Sequence, residues 1–208
     1  MEVQNNIKEV PFAHYLELFK KLDPKDAVER TGASFEGGIF TLSFFGDVYK
    51  ITWPEFSVSS DNEKAFMLSD LKSQTFLIRI LLEFKRTLGT GNFKTFREMA
   101  WGEMYIEPFT GRCIKRAAFT FGTCVEDFKA AALKLGAKAE SHADAAFKFE
   151  IMPGYFVQLL VWEGDDEFPP NSQILYSDNF EASFAAEDRV VVAEMLITLI
   201  KLTMKEMA

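Results

Sequence analysis

The densest run of side chains that could do chemistry lies in the last quarter of the chain. Residues 162–171 read WEGDDEFPPN, and four carboxylates, those of Glu163, Asp165, Asp166 and Glu167, fall within five consecutive positions. Carboxylate oxygens are ligands for Ca²⁺ and Mg²⁺, and paired carboxylates can also act as general acid and base. The stretch is therefore a candidate metal site, a candidate catalytic site or a solvated loop between strands.

The spacing of these carboxylates does not match a calcium loop. An EF-hand needs alternating acidic positions, a glycine at the sixth place and a glutamate at the twelfth, and this order is missing here. A metal site would need help from Asp178, Asp144 or His142. The alternative function is a metal-dependent hydrolase that uses the acidic loop 163–167, and its expected ligands are Asp165, Glu167, Asp178 and His142. Solvated carboxylates are the simpler interpretation, because acidic clusters without a motif are common on surfaces.

The same stretch also combines its carboxylates with aromatic side chains. Trp162 precedes them, Phe168 follows them, and Pro169-Pro170 stiffens the exit of the segment. Under a binding hypothesis, Trp162 and Phe168 frame a surface for a protein partner or a small-molecule ligand, and residues 163–167 (Glu163, Asp165, Asp166 and Glu167) give that surface its specificity. The leading prediction is a ligand- or partner-binding accessory protein.

Other candidate motifs in the chain are incomplete. Residues 87–92, TLGTGN, contain a G-x-G but follow a predicted helix and lack the Gly-Lys-Ser/Thr of a phosphate loop. Residues 141–144, SHAD, place serine, histidine and aspartate too close in sequence for a catalytic relay. Cys113 and Cys124 are the only cysteines, and two ligands do not make a zinc or iron–sulfur site. The sequence identifies no catalytic residue and no cofactor.

Composition and charge exclude several classes of partner. The net charge is −8 and no Lys/Arg cluster is present, which argues against nucleic acid and against an anionic membrane surface. The longest uncharged apolar run, Ile151 to Trp162, is too short to span a bilayer, and residues 1–10 contain no apolar signal sequence. We expect a cytoplasmic protein that binds neither nucleic acid nor membrane; its oligomeric state is not specified.

Periodicity and turn signals predict the order of helices and strands. Helices are expected where apolar residues recur at spacings of three and four, and strands where they alternate. The predicted helices cover 12–22, 23–30, a long segment from 61–69 to 88, a short piece near Trp101, 124–135 and 187–204. The predicted strands cover 39–44, 48–53, 145–152, 155–162 and 173–176.

These elements predict an α+β fold in a single domain over residues 1–208, because strands and helices come in blocks and one core suits this length. The sheet is expected to be mainly antiparallel and built from hairpins. Several helices should pack on it, two of them long and buried. Most of the 22 phenylalanines are expected in the core.

Three pieces of the sequence carry a family resemblance. They are residues 22–33 (LDPKDAVERTGA), the Phe-Gly and Trp-Pro strands that follow, and residues 162–170 running on into 174–178. With these pieces the chain resembles an uncharacterised family catalogued as domain of unknown function 3786. The resemblance implies a protein of anaerobic bacteria or archaea without an assigned activity.

The resemblance also carries an implication about metabolism. Some members of the family have a four-cysteine iron–sulfur domain in front, similar to one in corrinoid iron–sulfur methyl carriers. This chain departs from that pattern, since Cys113 and Cys124 cannot supply four ligands. A role linked to corrinoid or one-carbon metabolism is what the domain fusion implies, by association alone.

Overall fold

The computed structural model describes residues 9–207. Residues 1–8 lie outside the described part, and they make up most of the segment 1–10 in which no signal sequence is expected. The chain divides into two compact units, Met1–Arg86 and Thr87–Ala208. Each unit contains helices and one antiparallel sheet. The predicted α+β class is confirmed, but the strands form two sheets and not one. The prediction of a single domain over 1–208 stays a prediction.

The first unit holds a meander of short strands and its helices. Its sheet has the order β1-β2-β3-β4, with every neighbouring pair antiparallel. The helices are α1 Glu9–Phe19, α2 Pro24–Thr31 and α3 Leu71–Glu83, with a 3-10 turn at Phe66–Leu68. The strands are β1 Ser34–Glu36, β2 Ile39–Phe44, β3 Asp47–Thr52 and β4 Val58–Ser60.

Local sequence rules account for helix α2 and for the first hairpin. The Asp23 side chain accepts a hydrogen bond from the Lys25 amide, Pro24 occupies the first turn, and Gly32 ends the helix with φ 72°. Strands β2 and β3 pair over their full length, which confirms the predicted hairpin. These elements form where the sequence predicts them because their signals are local.

Helix α3 is shorter than predicted. It starts after Asp70, whose carboxylate accepts a hydrogen bond from the Ser73 amide, and it ends at Glu83, five residues before the predicted end. The Arg30 guanidinium donates to the carbonyls of Leu81 and Phe84 at 3.0 and 2.9 Å, which satisfies the helix end from a distant part of the unit. Periodicity cannot reveal such a long-range cap.

The second unit holds the larger sheet, with the strand order β5-β9-β8-β7-β6, all antiparallel. Its strands are β5 Phe93–Thr95, β6 Lys138–Glu140, β7 Ala145–Met152, β8 Tyr155–Trp162 and β9 Asn171–Ser177. Its helices are α4 Gly102–Phe109, α5 Arg116–Phe121, α6 Val125–Lys134, α7 Phe180–Ser183 and α8 Ala186–Met207. A π-helical segment, Thr110–Lys115, joins α4 to α5.

The centre of this sheet is the predicted β7–β8 hairpin, and this prediction is confirmed. Strand β9 is longer than the predicted 173–176, because Asn171 and Ser172 also pair with the end of β8. Helix α8 is the second long, largely buried helix, as expected. Among residues 9–207, no helix combines the length and apolar character needed to cross a bilayer.

The continuous helical stretch 102–121 was not predicted. Pro108 and Gly111 are typical helix breakers, yet the chain passes through them by widening into the π-helical segment. Arg112 of that segment donates to Glu194 at 2.9 and 2.8 Å and to Glu187 at 2.9 Å, both on α8. Tertiary ion pairs therefore hold a conformation that local propensity disfavours.

The pairs Thr95–Glu98 and Thr123–Glu126 each have the Thr-x-x-Glu spacing that predicts a capping box at a helix start, and the two predictions have different outcomes. The Thr95–Glu98 box is present and opens the 3-10 turn Phe96–Glu98. The prediction of a box between Thr123 and Glu126 is wrong. Helix α6 begins at Val125, one residue after the predicted start, so its N-cap is Cys124, which makes no side-chain capping hydrogen bond.

Candidate binding cleft

The acidic loop, defined here as Glu163–Pro170, connects β8 to β9, as the sequence predicts. Trp162 and Asn171, the residues on either side of it, are paired across the two strands. The loop therefore leaves and re-enters the sheet at neighbouring points, and its eight residues project from one end of the β8–β9 ladder.

Asp165 gives the acidic loop its internal shape. Its Oδ1 atom accepts hydrogen bonds from the backbone amides of Glu167 at 2.8 Å and Phe168 at 2.7 Å. The Asp165 amide in turn donates to the Phe168 carbonyl at 2.9 Å. An aspartate that accepts from amides two and three residues ahead builds a local turn, so one of the four carboxylates is already occupied.

Two backbone contacts anchor the loop to its surroundings. The Glu163 amide donates to Asp144 Oδ2 at 2.9 Å, and the Gly164 amide donates to the Gly122 carbonyl at 3.2 Å. Pro170 packs so closely that a Cβ at Gly122 would lie 2.4 Å from Pro170 Cβ, and one at Gly164 would lie 2.6 Å from Pro170 Cδ. Both glycines are needed for this close approach.

A cleft of about 580 Å³ lies between the acidic loop and the helical segment that contains α5. Such a volume lies within the range of roughly 300–1,000 Å³ that ligand sites occupy. Its walls are mostly apolar, with one lysine, one glutamate and one asparagine among them. The lining residues are Ile114, Lys115, Ala118, Phe119, Trp162, Glu163, Phe168, Pro169, Pro170 and Asn171.

Two aromatic rings of the cleft are exposed to an unusual degree. Phe119 retains 62% and Phe168 retains 67% of their accessible surface, whereas Trp162 is half-buried. Many other phenylalanines of this chain are buried in the core, as predicted. Exposed rings rimmed by polar residues are typical of interaction surfaces, because water is a poor environment for them.

The remaining carboxylates of the loop are accessible. Glu163, Asp166 and Glu167 are exposed. Within the part of the chain that the structure describes, none of the three forms a salt bridge or a side-chain hydrogen bond. The cleft thus has an acidic edge whose carboxylates form no ion pair within residues 9–207.

The structure does not bring the residues of the predicted metal site together. Asp178 follows the last residue of β9, whereas the acidic loop precedes the first, and a seven-residue strand extends roughly 20 Å. Asp178 instead accepts hydrogen bonds from the Thr90 hydroxyl and from the Thr90 amide. The hydroxyl bond is the main reason why the pKa of Asp178 is lowered.

His142 lies in the exposed turn between β6 and β7, at residues 141–144. In that turn it is Asp144 that reaches the acidic loop, through the Glu163 amide. Among residues 9–207, no group of three or more His, Cys, Asp or Glu side chains is placed to hold a metal ion.

Sequence reasoning identified the strand side of the cleft and missed its helical side. Ile114, Ala118 and Phe119 lie in the stretch 102–121, which local propensity did not predict as helical. Only the structure shows that within residues 116–121 Ala117, Ala118 and Phe121 are buried while Phe119 is exposed. A large apolar side chain off the buried face of a helix indicates a second use for it.

Together, these observations describe an α+β protein with an open aromatic cleft that has an acidic edge. A family model described as Domain of unknown function (DUF3786) matches residues 23–199, and the chain belongs to that family. The resemblance inferred from residues 22–33 and 162–170 is confirmed. No curated protein and no solved structure matches the chain. The implied link to corrinoid or one-carbon metabolism stays a prediction.

Proposed function

We propose that this protein is an accessory protein that binds a partner protein through the cleft beside the acidic loop. The observation that carries the proposal is the pair of exposed rings, Phe119 and Phe168, on opposite walls of one 580 Å³ apolar cleft. Burying a large apolar side chain contributes about 1.5–3 kcal/mol, so covering both rings offers a partner a substantial gain.

Hydrogen bonds within the acidic loop and to its surroundings restrain the shape of the cleft, which favours binding. Asp165 ties the acidic loop to itself, and the Gly164 amide ties it to Gly122. A preorganised surface loses little conformational entropy when a partner arrives. Trp162 and Pro170 add half-buried, rigid surface to the floor.

The chemistry of the walls suits binding better than catalysis. The polar side chains that line the cleft are those of Lys115, Glu163 and Asn171. Among the described lining residues there is no serine, cysteine or histidine, so the nucleophile–base pairs that these residues form are absent from the walls. The proposal therefore assigns recognition, and no reaction, to this surface.

A selection from a random peptide library on the immobilised full chain tests this proposal. Peptides enriched on the unmodified protein should bind the double variant Phe119→Ser/Phe168→Ser at least about tenfold more weakly, which corresponds to 1.4 kcal/mol. The matched control is Leu133→Ser, because Leu133 is 59% exposed on α6 and does not line the cleft. Enriched peptides that bind the unmodified protein and the double variant Phe119→Ser/Phe168→Ser equally would contradict the proposal.

A further inference from the structure

We infer that the cleft takes an extended peptide segment of the partner in which apolar residues are followed by arginines. The inference rests on the proposed function and names the chemistry of its occupant. The apolar residues lie between Phe119, Trp162 and Phe168, and the arginines lie against the acidic edge of the cleft.

Charge complementarity selects a basic occupant. Glu163 lines the cleft, Asp166 and Glu167 follow it in the loop, and all three are exposed. Elsewhere in the unit, several accessible carboxylates are paired; Glu126, for example, bonds Lys129 at 2.8 Å. The acidic edge lacks such partners within residues 9–207, so a cation from another molecule is the complementary group.

The carboxylates of the loop divide into one that holds the loop and those that face solvent. Asp165 uses Oδ1 to bind two backbone amides of its own loop. Asp166 and Glu167 accept no hydrogen bond from any described residue. Removing the charges of Asp166 and Glu167 should therefore change recognition and leave the loop conformation intact.

The other walls of the cleft refine the choice of cation and the direction of the segment. Aromatic faces attract cations, and a planar guanidinium stacks on them better than an ammonium does. Arginine should therefore be preferred over lysine beside Phe168. Lys115 lines the helical wall and opposes a basic group there, so the basic end of the segment lies at the acidic loop and the neutral or acidic end lies near Lys115.

Three synthetic peptides test the inference by fluorescence anisotropy with the full chain. They share a central Leu-Pro-Leu-Pro and carry Arg-Arg, Ser-Ser or Glu-Glu after it. The Arg-Arg peptide should bind about tenfold more tightly than the Ser-Ser peptide, and the Glu-Glu peptide should bind most weakly. The advantage of Arg-Arg should shrink as salt rises, because exposed charges are screened.

Neutralising the edge provides the matched comparison. The double variant Asp166→Asn/Glu167→Gln should reduce the Arg-Arg advantage to under about threefold and leave Ser-Ser binding unchanged. The control Glu126→Gln/Asp127→Asn removes an adjacent exposed acidic pair on α6 and should leave the advantage intact. Loss of the advantage in the control as well would overturn the inference.

The outcomes separate this inference from the proposed function. Equal binding of the three peptides, abolished by Phe119→Ser/Phe168→Ser, would overturn the basic occupant and uphold the cleft as a binding site. Binding of the Arg-Arg peptide that survives Phe119→Ser/Phe168→Ser would place recognition on charge alone and overturn both. Failure of all three peptides to bind the unmodified protein, together with no enrichment in the library selection, would also overturn both.

Discussion

The two ends of strand β9 carry similar polar and aromatic side chains, but the hydrogen bonds and packing contacts of those side chains differ. At the end near Ser177, Asn179 donates to the Gly154 carbonyl at 3.0 Å and to the Thr87 carbonyl at 3.2 Å. The hydroxyl groups of Tyr155 and Ser183 lie 2.7 Å apart. At the end near Asn171, the acidic loop leaves the carboxylates of Glu163, Asp166 and Glu167 without partners among the described residues and leaves the Phe168 ring in water.

The aromatic side chains show the same contrast. Phe180, beyond the Ser177 end, is fully buried and lies 5.1 Å from Tyr176, 5.5 Å from Tyr155 and 4.8 Å from Phe184, between ring centroids. Phe168, before the Asn171 end, is two-thirds exposed. An end whose side chains are paired in this way serves stability, whereas an end with open groups is available to a partner.

The largest expected effect distinguishes these two phenylalanines. Phe180→Ala should lower the free energy of unfolding by about 3–5 kcal/mol, because it leaves a cavity among three rings. Phe168→Ala should lower it by less than about 0.5 kcal/mol, because the side chain is mostly solvated. Urea unfolding of both variants measures the difference, and similar losses would remove the contrast between the two ends.

The next effect concerns the close approach of Pro170 to Gly122. Gly122→Ala should cost about 1–3 kcal/mol, since the new methyl group would meet Pro170 at 2.4 Å and the Ala118 carbonyl at 2.8 Å. Gly111→Ala is the matched control, because a Cβ there meets nothing within 4 Å. Thermal unfolding should show a loss only for Gly122→Ala; an unchanged midpoint would mean that the loop is not clamped.

A smaller effect separates the carboxylates at the two ends. Asp178→Ala should lower stability by about 1 kcal/mol, because the Thr90 amide and hydroxyl lose their acceptor. Asp166→Ala should change stability by less than about 0.5 kcal/mol. Denaturant titrations in which Asp166→Ala costs as much as Asp178→Ala would show that the acidic loop uses its carboxylates for stability.

The smallest effect is the pH dependence of Asp178. Its pKa is lowered in the folded protein, mainly by the Thr90 hydroxyl, so its contribution is present above the unfolded value and is lost as the pH falls through the folded value. The stability difference between the unmodified protein and Asp178→Asn should stay constant from about pH 7 to pH 5 and shrink towards about pH 3. A difference that grows on acidification would contradict the assignment.

Local signals predicted much of the fold. The Asp23-Pro24 start and the Gly32 stop of α2, both main hairpins and the course of α8 follow from capping, turn and periodicity rules. The helical course of 102–121 does not follow from these local rules, because the ion pairs of Arg112 with Glu187 and Glu194 hold its π-helical segment. The end of α3 was misplaced for the same reason, since the cap comes from a distant arginine.

The candidate site was half predictable. Trp162 and Phe168 stand beside a conspicuous acidic run, and the sequence placed both on a binding surface at a strand end. Phe119 came from a segment whose helical course depends on tertiary contacts. Asp178 is only eight residues beyond Pro170, but the intervening strand carries it to the far end of the sheet. Proximity in sequence was therefore a poor guide to which carboxylates could act together.

One NMR spectrum tests the binding cleft most directly. The indole N–H signals of Trp53, Trp101 and Trp162 in ¹⁵N-labelled protein report on three separate places, and only Trp162 lines the cleft. Addition of the Arg-Arg peptide should shift the Trp162 signal and leave those of Trp53 and Trp101 in place. An unmoved Trp162 signal at saturating peptide, or equal shifts of all three signals, would contradict binding at this cleft.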